Sequence, residues 1–346
     1  MHVKKESNNN QPLVSILVPV YQTEEYIERC ARSLFEQTYD NLEYLFCDDC
    51  SSDNSIQILE SVIKDYPDCA NRIKILHHEE NRGVSAARNT GIKNATGDYL
   101  FFMDSDDELP ERSIEILLGR AMEDEAIEMV LGNTLIKPIR NPNSWGVDAI
   151  RQKLPSSLTS NEDIRYYFFH NRKLMILAHN KLLKRSFVLQ HHLFFKEGIW
   201  HEDQVWSFFL YKCLTNVRIV YEYTYYYHVH PNSFCSGTSN ENYAKYKGVA
   251  IQIILNHLTP TKEKEEMGRY IKNNFLTYRC LGYLHKVPEY KSAFNMYWRQ
   301  AWKYRCWGLV LDLVLIFVSS FFRNGEGVYK KLKKIKNRLY LLITKQ

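Results

Sequence analysis

Asp104, Ser105, Asp106 and Asp107 follow directly on an apolar run, Tyr99 to Met103. Carboxylates at the C-terminal end of a buried strand suit a hard divalent cation held against a phosphate. The same residues also suit an acidic turn with solvated side chains, because D-x-D is short and common. Three other apolar runs end in polar groups. Leu13 to Val18 is followed by Pro19, Val20 and Tyr21, and then Glu24. Leu42 to Cys47 is followed by Asp48 and Asp49, continuing Cys50-Ser51-Ser52-Asp53. Arg72 to Leu76 is followed by Asn81-Arg82-Gly83-Val84-Ser85-Ala86-Ala87-Arg88-Asn89. Gly83 and Ser85 there open a helical pattern. Arg88 falls on its early turns, where a guanidinium can face a diphosphate.

These groups meet only if the apolar runs are parallel strands. The spacing between them supports that. Glu24 to Gln37 is helical through Tyr26, Ile27, Cys30 and Leu34, and Asp53 can cap a helix through Ile56, Leu59, Val62 and Ile63. Gly83 to Ala95 reads as a helix, Pro110 opens another, and Ala126 to Leu131 reads as a further strand. Strand and helix alternate, which predicts an α/β fold with a doubly wound, mostly parallel sheet. Open sheets of this kind bind ligands at the carboxyl ends of their strands. Asn141 to Thr159 reads as a loop, Val217 to Tyr227 as a strand, and the chain turns helical beyond Tyr243. No G-x-G-x-x-G follows the first strand and no G-x-x-x-x-G-K-[ST] is present, which argues against a dinucleotide Rossmann enzyme and a P-loop.

The net charge of +5 is misleading. Seven basic residues and no acid lie from Gly327 onward, so the rest carries about −2. That balance excludes a nucleic-acid-binding body. Cys47 and Cys50 form a C-x-x-C without a second pair, and Cys47, at a strand end, reads as a small core residue. Met1 to Gln11 is polar and has no apolar signal core, so a cytoplasmic location with reduced thiols is expected.

Four segments together resemble the inverting family 2 glycosyltransferases of the GT-A fold. They are Val14 to Tyr21, Asp48 to Asp53, Asn81 to Gly91 and Gly97 to Asp107. They occur in the family's order and spacing, and the likeness covers about residues 12–235. It implies a disordered segment 1–11, a GT-A domain 12–235 and a helical C-terminal region 236–346. It also implies roles. Pro19, Tyr21 and Glu24 match the loop around base and ribose. Asp49 matches the contact to the base edge, and Asn81 and Arg88 match contacts to base and diphosphate. Asp104 matches a ribose or metal contact and Asp106 the ligand of a divalent cation, Mn2+ or Mg2+, while Asp107 shapes the turn. Asp48 and Asp53 are read as turn or helix caps.

Glu202-Asp203 resembles the family's E-D motif, whose Asp is the catalytic base; on composition it equally suits a helix-dipole cap. Trp200 and Trp206 suit either an acceptor floor or the core. His228 or His230 suits a contact to diphosphate or metal, or a structural role. The resemblance implies transfer of a sugar from a nucleotide-sugar, a UDP-sugar, to a glycan or lipid-linked glycan, as in surface polysaccharide biosynthesis.

Trp307 to Phe322 is strongly apolar but short for a span and contains Asp312. The stripe Val328, Leu332, Ile335, Leu339, Leu342 has lysines opposite it. Together they predict peripheral contact with the inner face of a membrane. Two alternatives remain. A sugar-phosphate nucleotidyltransferase needs a Gly-rich basic first loop, which is absent after Val18. A catalytically inactive, membrane-associated glycan-binding scaffold would not need acids at 49, 104, 106 and 203.

Overall fold

The computed structural model describes residues 11–137, 154–170, 176–230, 239–258, 263–275, 280–322 and 324–343. Among the described residues eight strands form one sheet: β1 (Val14–Val20), β2 (Leu42–Asp48), β3 (Ile73–His77), β4 (Tyr99–Phe102), β5 (Met129–Lys137), β6 (Ser157–Leu158), β7 (Lys181–Lys184) and β8 (Val217–His228). Their order is β3-β2-β1-β4-β7-β5-β8-β6. The first four strands pair in parallel, as does β5 with β8. β7 runs antiparallel between β4 and β5, and β6 is antiparallel at the edge. The helices α1 (Ile27–Phe35), α2 (Ser55–Asp65), α3 (Val84–Asn94) and α4 (Ser113–Ala121) connect the parallel strands. The mostly parallel α/β sheet expected from the alternation is thus present.

Alternation along each strand explains why both faces are covered. Ile16, Val18, Tyr44, Phe46 and Phe101 pack in one apolar cluster with residues of α1, α2 and α4. Their neighbours Leu17, Leu45, Leu100 and Phe102 pack in another, with Ile92 of α3. Strands buried on both faces read as continuous apolar runs, as these do. Two boundaries differ from expectation. β1 continues through Pro19 to Val20; pairing with β4 stops at Leu17, so Pro19 lies where β2 is the remaining neighbour. β5 runs to Lys137 instead of ending at Leu131, because β8 is long enough to pair with it there. Most of the expected loop 141–159 lies outside the described residues, and Ser157–Leu158 forms β6.

Further along come α5 (Asn161–Arg165), α6 (Arg185–Gln190), α7 (Glu202–Cys213), α8 (Asn240–Leu255), α9 (Lys264–Phe275), α10 (Pro288–Lys303), α11 (Trp307–Ser319) and α12 (Gly325–Ile343). The chain divides into two compact units, residues 1–198 with 206–230, and residues 199–205 with 231–346. In the second unit Lys336 Nζ meets Asp312 Oδ1 at 3.1 Å, which compensates the acid within the apolar α11.

The turn that launches β4 is fixed by a buried carboxylate near the start of β2. Glu43 Oε1 accepts from Ser15 Oγ at 2.6 Å and from the N–H groups of Thr96 and Gly97 at 2.6 and 3.1 Å. Burial acts to raise the Glu43 carboxyl, but these donors hold it below its ordinary value. A Cβ on Gly97 would stand 2.6 Å from the Leu13 carbonyl oxygen. Gly97→Ala is expected to destabilise the chain by about 2 kcal/mol, a drop of roughly 5 °C in Tm by differential scanning fluorimetry. An unchanged Tm would show that this turn tolerates a shift of the β1 backbone.

Candidate active site

Because β1 to β4 are parallel, their carboxyl ends open on one edge of the sheet. The loops there are braced against each other. Glu24 N–H donates to Asp53 Oδ2 at 3.0 Å, and Glu24 Oε2 accepts from Asn54 N–H at 3.0 Å. Gln22 and Cys50 hold left-handed backbone, with φ of 51° and 63°, a conformation that costs energy away from glycine. Pro19 is half-buried, while Tyr21 presents an exposed ring and Glu24 is exposed. Asp48 caps its own turn by accepting from Ser51 N–H at 2.9 Å.

Asp49 is buried and heavily used. Its Oδ1 meets His78 Nδ1 at 2.6 Å and accepts from Arg82 N–H at 2.9 Å, while Oδ2 accepts from Gly83 N–H at 2.7 Å. It therefore shapes the loop that enters α3. A contact to a base edge would have to share an oxygen already bonded. Gly83 has φ of +84°, which needs glycine, and its carbonyl starts the helix. Asn81 is exposed on this loop. The Ser85 hydroxyl in the first turn is buried and has no hydrogen-bond partner among the described residues.

Arg88 comes from the same helix. Its guanidinium donates to Asp104 Oδ1 at 2.9 Å and lies 5.1 Å from the Phe195 ring centre. Burial would raise the Asp104 carboxyl, but the Arg88 guanidinium overrides it and holds it below its ordinary range. Asp106 has the opposite fate. Burial, reinforced by the Asp104 charge, pushes its carboxyl up to about 6. Burial and both neighbouring acids push Asp107 well above its ordinary value. Asp107 accepts from Tyr225 Oη at 2.7 Å and from His228 N–H at 2.8 Å, tying the acidic turn to β8. Tyr225 Oη in turn accepts from Asp104 N–H at 3.2 Å. His228 Nε2 pairs with Glu108 at 3.1 Å.

Two histidines adjoin these acids. His230 stacks on Tyr26 at 4.0 Å, and its Nε2 lies 3.8 Å from Asp106 Oδ2. His179 is buried and stacks on Tyr225 at 4.2 Å. Burial lowers its imidazole to about 3, so it is neutral at pH 7. His230 Nε2 and both His179 nitrogens are buried with no hydrogen-bond partner among the described residues. Asp104, Asp107 and His179 each offer a ligand atom within 4.8 Å of the others. Carboxylates beside orphaned imidazole nitrogens fit a divalent cation, held by this trio or by Asp106 with His230. The sequence resemblance pointed to Asp106 and missed His179. The polar triplet His179-Asn180-Lys181 before an apolar strand was the available signal.

Glu202 and Asp203 lie in the first turn of α7, half-buried. Each unit holds its own part of this stretch of chain. In the first unit, Asn89 Oδ1 accepts from Phe195 N–H at 2.8 Å, and its amide donates to Phe195 O at 2.9 Å and Glu197 Oε1 at 3.0 Å. In the second, the buried Gln204 amide donates to Tyr270 Oη at 3.0 Å and Asn274 Oδ1 at 2.9 Å, and Lys247 Nζ donates back to it. Gln204 was not singled out from sequence, because its partners lie more than forty residues away. Trp206 is core, stacked on Phe195 at 4.6 Å, and Trp200 stacks on Tyr246 at 3.7 Å.

The raised Asp106 carboxyl gives a pH dependence. A carboxyl whose folded pKa stands above its free value of 3.8 favours the folded chain while protonated. That contribution is complete below about pH 4 and is lost as pH rises through about 6. The cation-free chain should therefore lose Tm between about pH 4 and 6. Asp106→Asn should lose less and exceed wild type at pH 7.5, with the difference gone near pH 4. Parallel Tm profiles for both proteins would contradict the crowding described here.

Comparison with known proteins identifies the family and the fold. The profile of the family described as Glycosyl transferase family 2 matches residues 15–190. The glycosyltransferase GlyG of Streptococcus pneumoniae is 30% identical over 219 residues, 62% of this chain and 70% of that protein. The crystal structure of S. aureus TarS residues 1–349 in complex with UDP-GlcNAc aligns with a TM-score of 0.69 at 20% identity, covering 93% of this chain and 92% of that one. The mannosyltransferase PcManGT from Pyrobaculum calidifontis, in complex with GDP-Man and Mn2+, aligns with a TM-score of 0.53 at 16% identity, covering 91% and 88%. These solved structures show the same fold. With its sheet order, its acidic strand end and the family profile in agreement, the chain belongs to glycosyltransferase family 2 and is a glycosyltransferase of the GT-A fold.

Proposed function

We propose that the chain is a metal-dependent, inverting glycosyltransferase that moves a sugar from a UDP-sugar to a hydroxyl of a glycan or lipid-linked glycan. Its setting would be surface polysaccharide assembly at the inner, cytoplasmic face of a membrane, which the C-terminal helices touch. The observation that carries the donor assignment is the meeting of Asp104, Asp106, Arg88 and His230 beyond β4. The UDP-GlcNAc bound to TarS and the GDP-Man and Mn2+ bound to PcManGT support it.

In this reading Pro19, Tyr21 and Glu24 frame base and ribose. Asp49 holds the loop from Asn81 to Gly83 that faces the base, as well as reaching the base edge itself. Arg88 and Asn81 face the diphosphate, and Asp104 faces the ribose or the cation. Asp106 is the principal cation ligand. A bound Mn2+ or Mg2+ would supply positive charge to the departing diphosphate. Asp203 takes the proton of the acceptor hydroxyl as its oxygen attacks the anomeric carbon. The bond from that carbon to the phosphate oxygen breaks, its electron pair stays on the nucleoside diphosphate, and one displacement inverts the configuration. The Gln204 clamp and the Asn89 anchor would hold the Asp203 turn in place during this step.

Asp203→Asn should keep UDP affinity within about twofold while transfer falls about 10³-fold. Asp106→Ala should lose the gain in UDP binding that Mn2+ gives to wild type, read by isothermal calorimetry. A thermal-shift panel of nucleotide-sugars with and without Mn2+ or Mg2+ identifies the donor for the assay. Normal turnover by Asp203→Asn would sink the assignment of the base.

A further inference from the structure

Helix α11 buries one side and leaves the other bare. Leu309, Val310, Leu313 and Ile316 face inward. Trp307, Leu311, Val314 and Val318 are exposed, and the line continues into Phe321 and Phe322, which are 67% and 52% exposed. The intervals of four, three and four residues put the four helical positions on one stripe. A helix that is apolar all round belongs in a core or against lipid. Among the described residues these four side chains keep 36% to 55% of their surface exposed. The single acid of α11, Asp312, is neutralised by Lys336.

The surroundings decide what the stripe meets. Trp302 is exposed and sits edge-on to Trp307 at 5.0 Å, with exposed Tyr304 nearby in sequence. Lys303 and Arg305 are exposed just before the stripe, and Lys330, Lys331 and Lys334 are exposed on α12, which packs on α11. From Arg299 to Ile343 there are ten basic residues against two acids, a net +8. Exposed apolar side chains, indole rings and a dense positive flank match the three layers of an anionic bilayer surface: acyl boundary, headgroup level and counter-charge. A protein partner would explain the apolar stripe but not the charge. The 13 residues of α11 reach about 20 Å, short of the roughly 30 Å hydrocarbon core. No helix among the described residues is long and apolar enough to cross a membrane.

We propose that the exposed face of α11, with Trp302 and the Lys330–Lys331–Lys334 flank, is a docking surface for anionic phospholipid, with the helix lying in the membrane plane. This gives residues and a lipid class to the membrane contact invoked above, and to that extent rests on that reading.

The test is flotation of the full chain with vesicles of phosphatidylcholine alone, or with about a third phosphatidylglycerol, at low and high salt. No donor is present, so the result is independent of transfer, and donor hydrolysis without vesicles reports the transferase separately. Wild type should float with the anionic vesicles at least about tenfold better than with neutral ones, and high salt should weaken this. Leu311→Glu with Val318→Glu should abolish flotation while Tm and UDP binding stay unchanged. Lys330→Glu, Lys331→Glu and Lys334→Glu together should remove the anionic preference. Should the double variant fold poorly, quenching of wild-type tryptophan fluorescence by brominated lipid gives the same reading without a substitution. Failure of wild type to bind anionic vesicles, or flotation unaffected by the Leu311/Val318 change, would overturn the proposal. A dimer by light scattering that the double variant dissociates, without vesicle binding, would assign the stripe to self-association instead.

Discussion

Three carboxylates within four residues of one turn repel one another, and the residues around them are organised by that repulsion. Arg88 resolves it for Asp104, which stays ionised. For Asp106 and Asp107 burial and the neighbouring acids win, the Arg29 guanidinium beside Asp106 offsetting this only in part, and both are driven toward their protonated forms. Asp107 is instead stabilised by neutral donors, the Tyr225 hydroxyl and the His228 amide. The turn therefore stores unfavourable electrostatics that added positive charge would relieve. Crowding of like charges favours added positive charge, and the imidazole nitrogens of His179 and His230 adjoin the same acids.

The same economy of buried acids and amides holds the loops. Glu43, Asp49 and Asn89 each bond backbone groups of a distant loop, taking the place of ladder bonds the loops cannot make. Glu43 sets the start of β4, Asp49 the entry to α3, and Asn89 the segment from Phe195 to Glu197. Each anchor springs from a strand or helix of the sheet core. The geometry of these loops is thus inherited from the buried core of the sheet.

Much of this was legible in the sequence because it is local. Continuous apolar runs announced β1, β2 and β4, and their polar endings announced the crevice. Helix spacing placed α1 to α4 within a few residues. What was not legible depends on long-range partners. Nothing near Asp49 in sequence shows that its oxygens are committed to Arg82 and Gly83. His179 approaches Asp104 only because β7 inserts antiparallel beside β4, a register that periodicity does not encode. Trp206 had two readings from composition, and its stacking on Phe195 chose the core.

The division of the chain runs through α7. Residues 199–205, with Glu202, Asp203 and the clamp residue Gln204, fold with the C-terminal helices, whereas the rest of α7 belongs to the sheet unit. The carboxylates at the ends of β2 and β4 and the Glu202–Asp203 pair therefore belong to different units. Recombination between relatives at a junction near residue 231 would keep the acids of the sheet yet exchange the Lys247, Tyr270 and Asn274 seat on which Gln204 rests. A hybrid that keeps both units whole would have to take 199–205 together with 231–346 from one parent and 206–230 with the sheet from the other, which needs three junctions, near residues 198, 205 and 230.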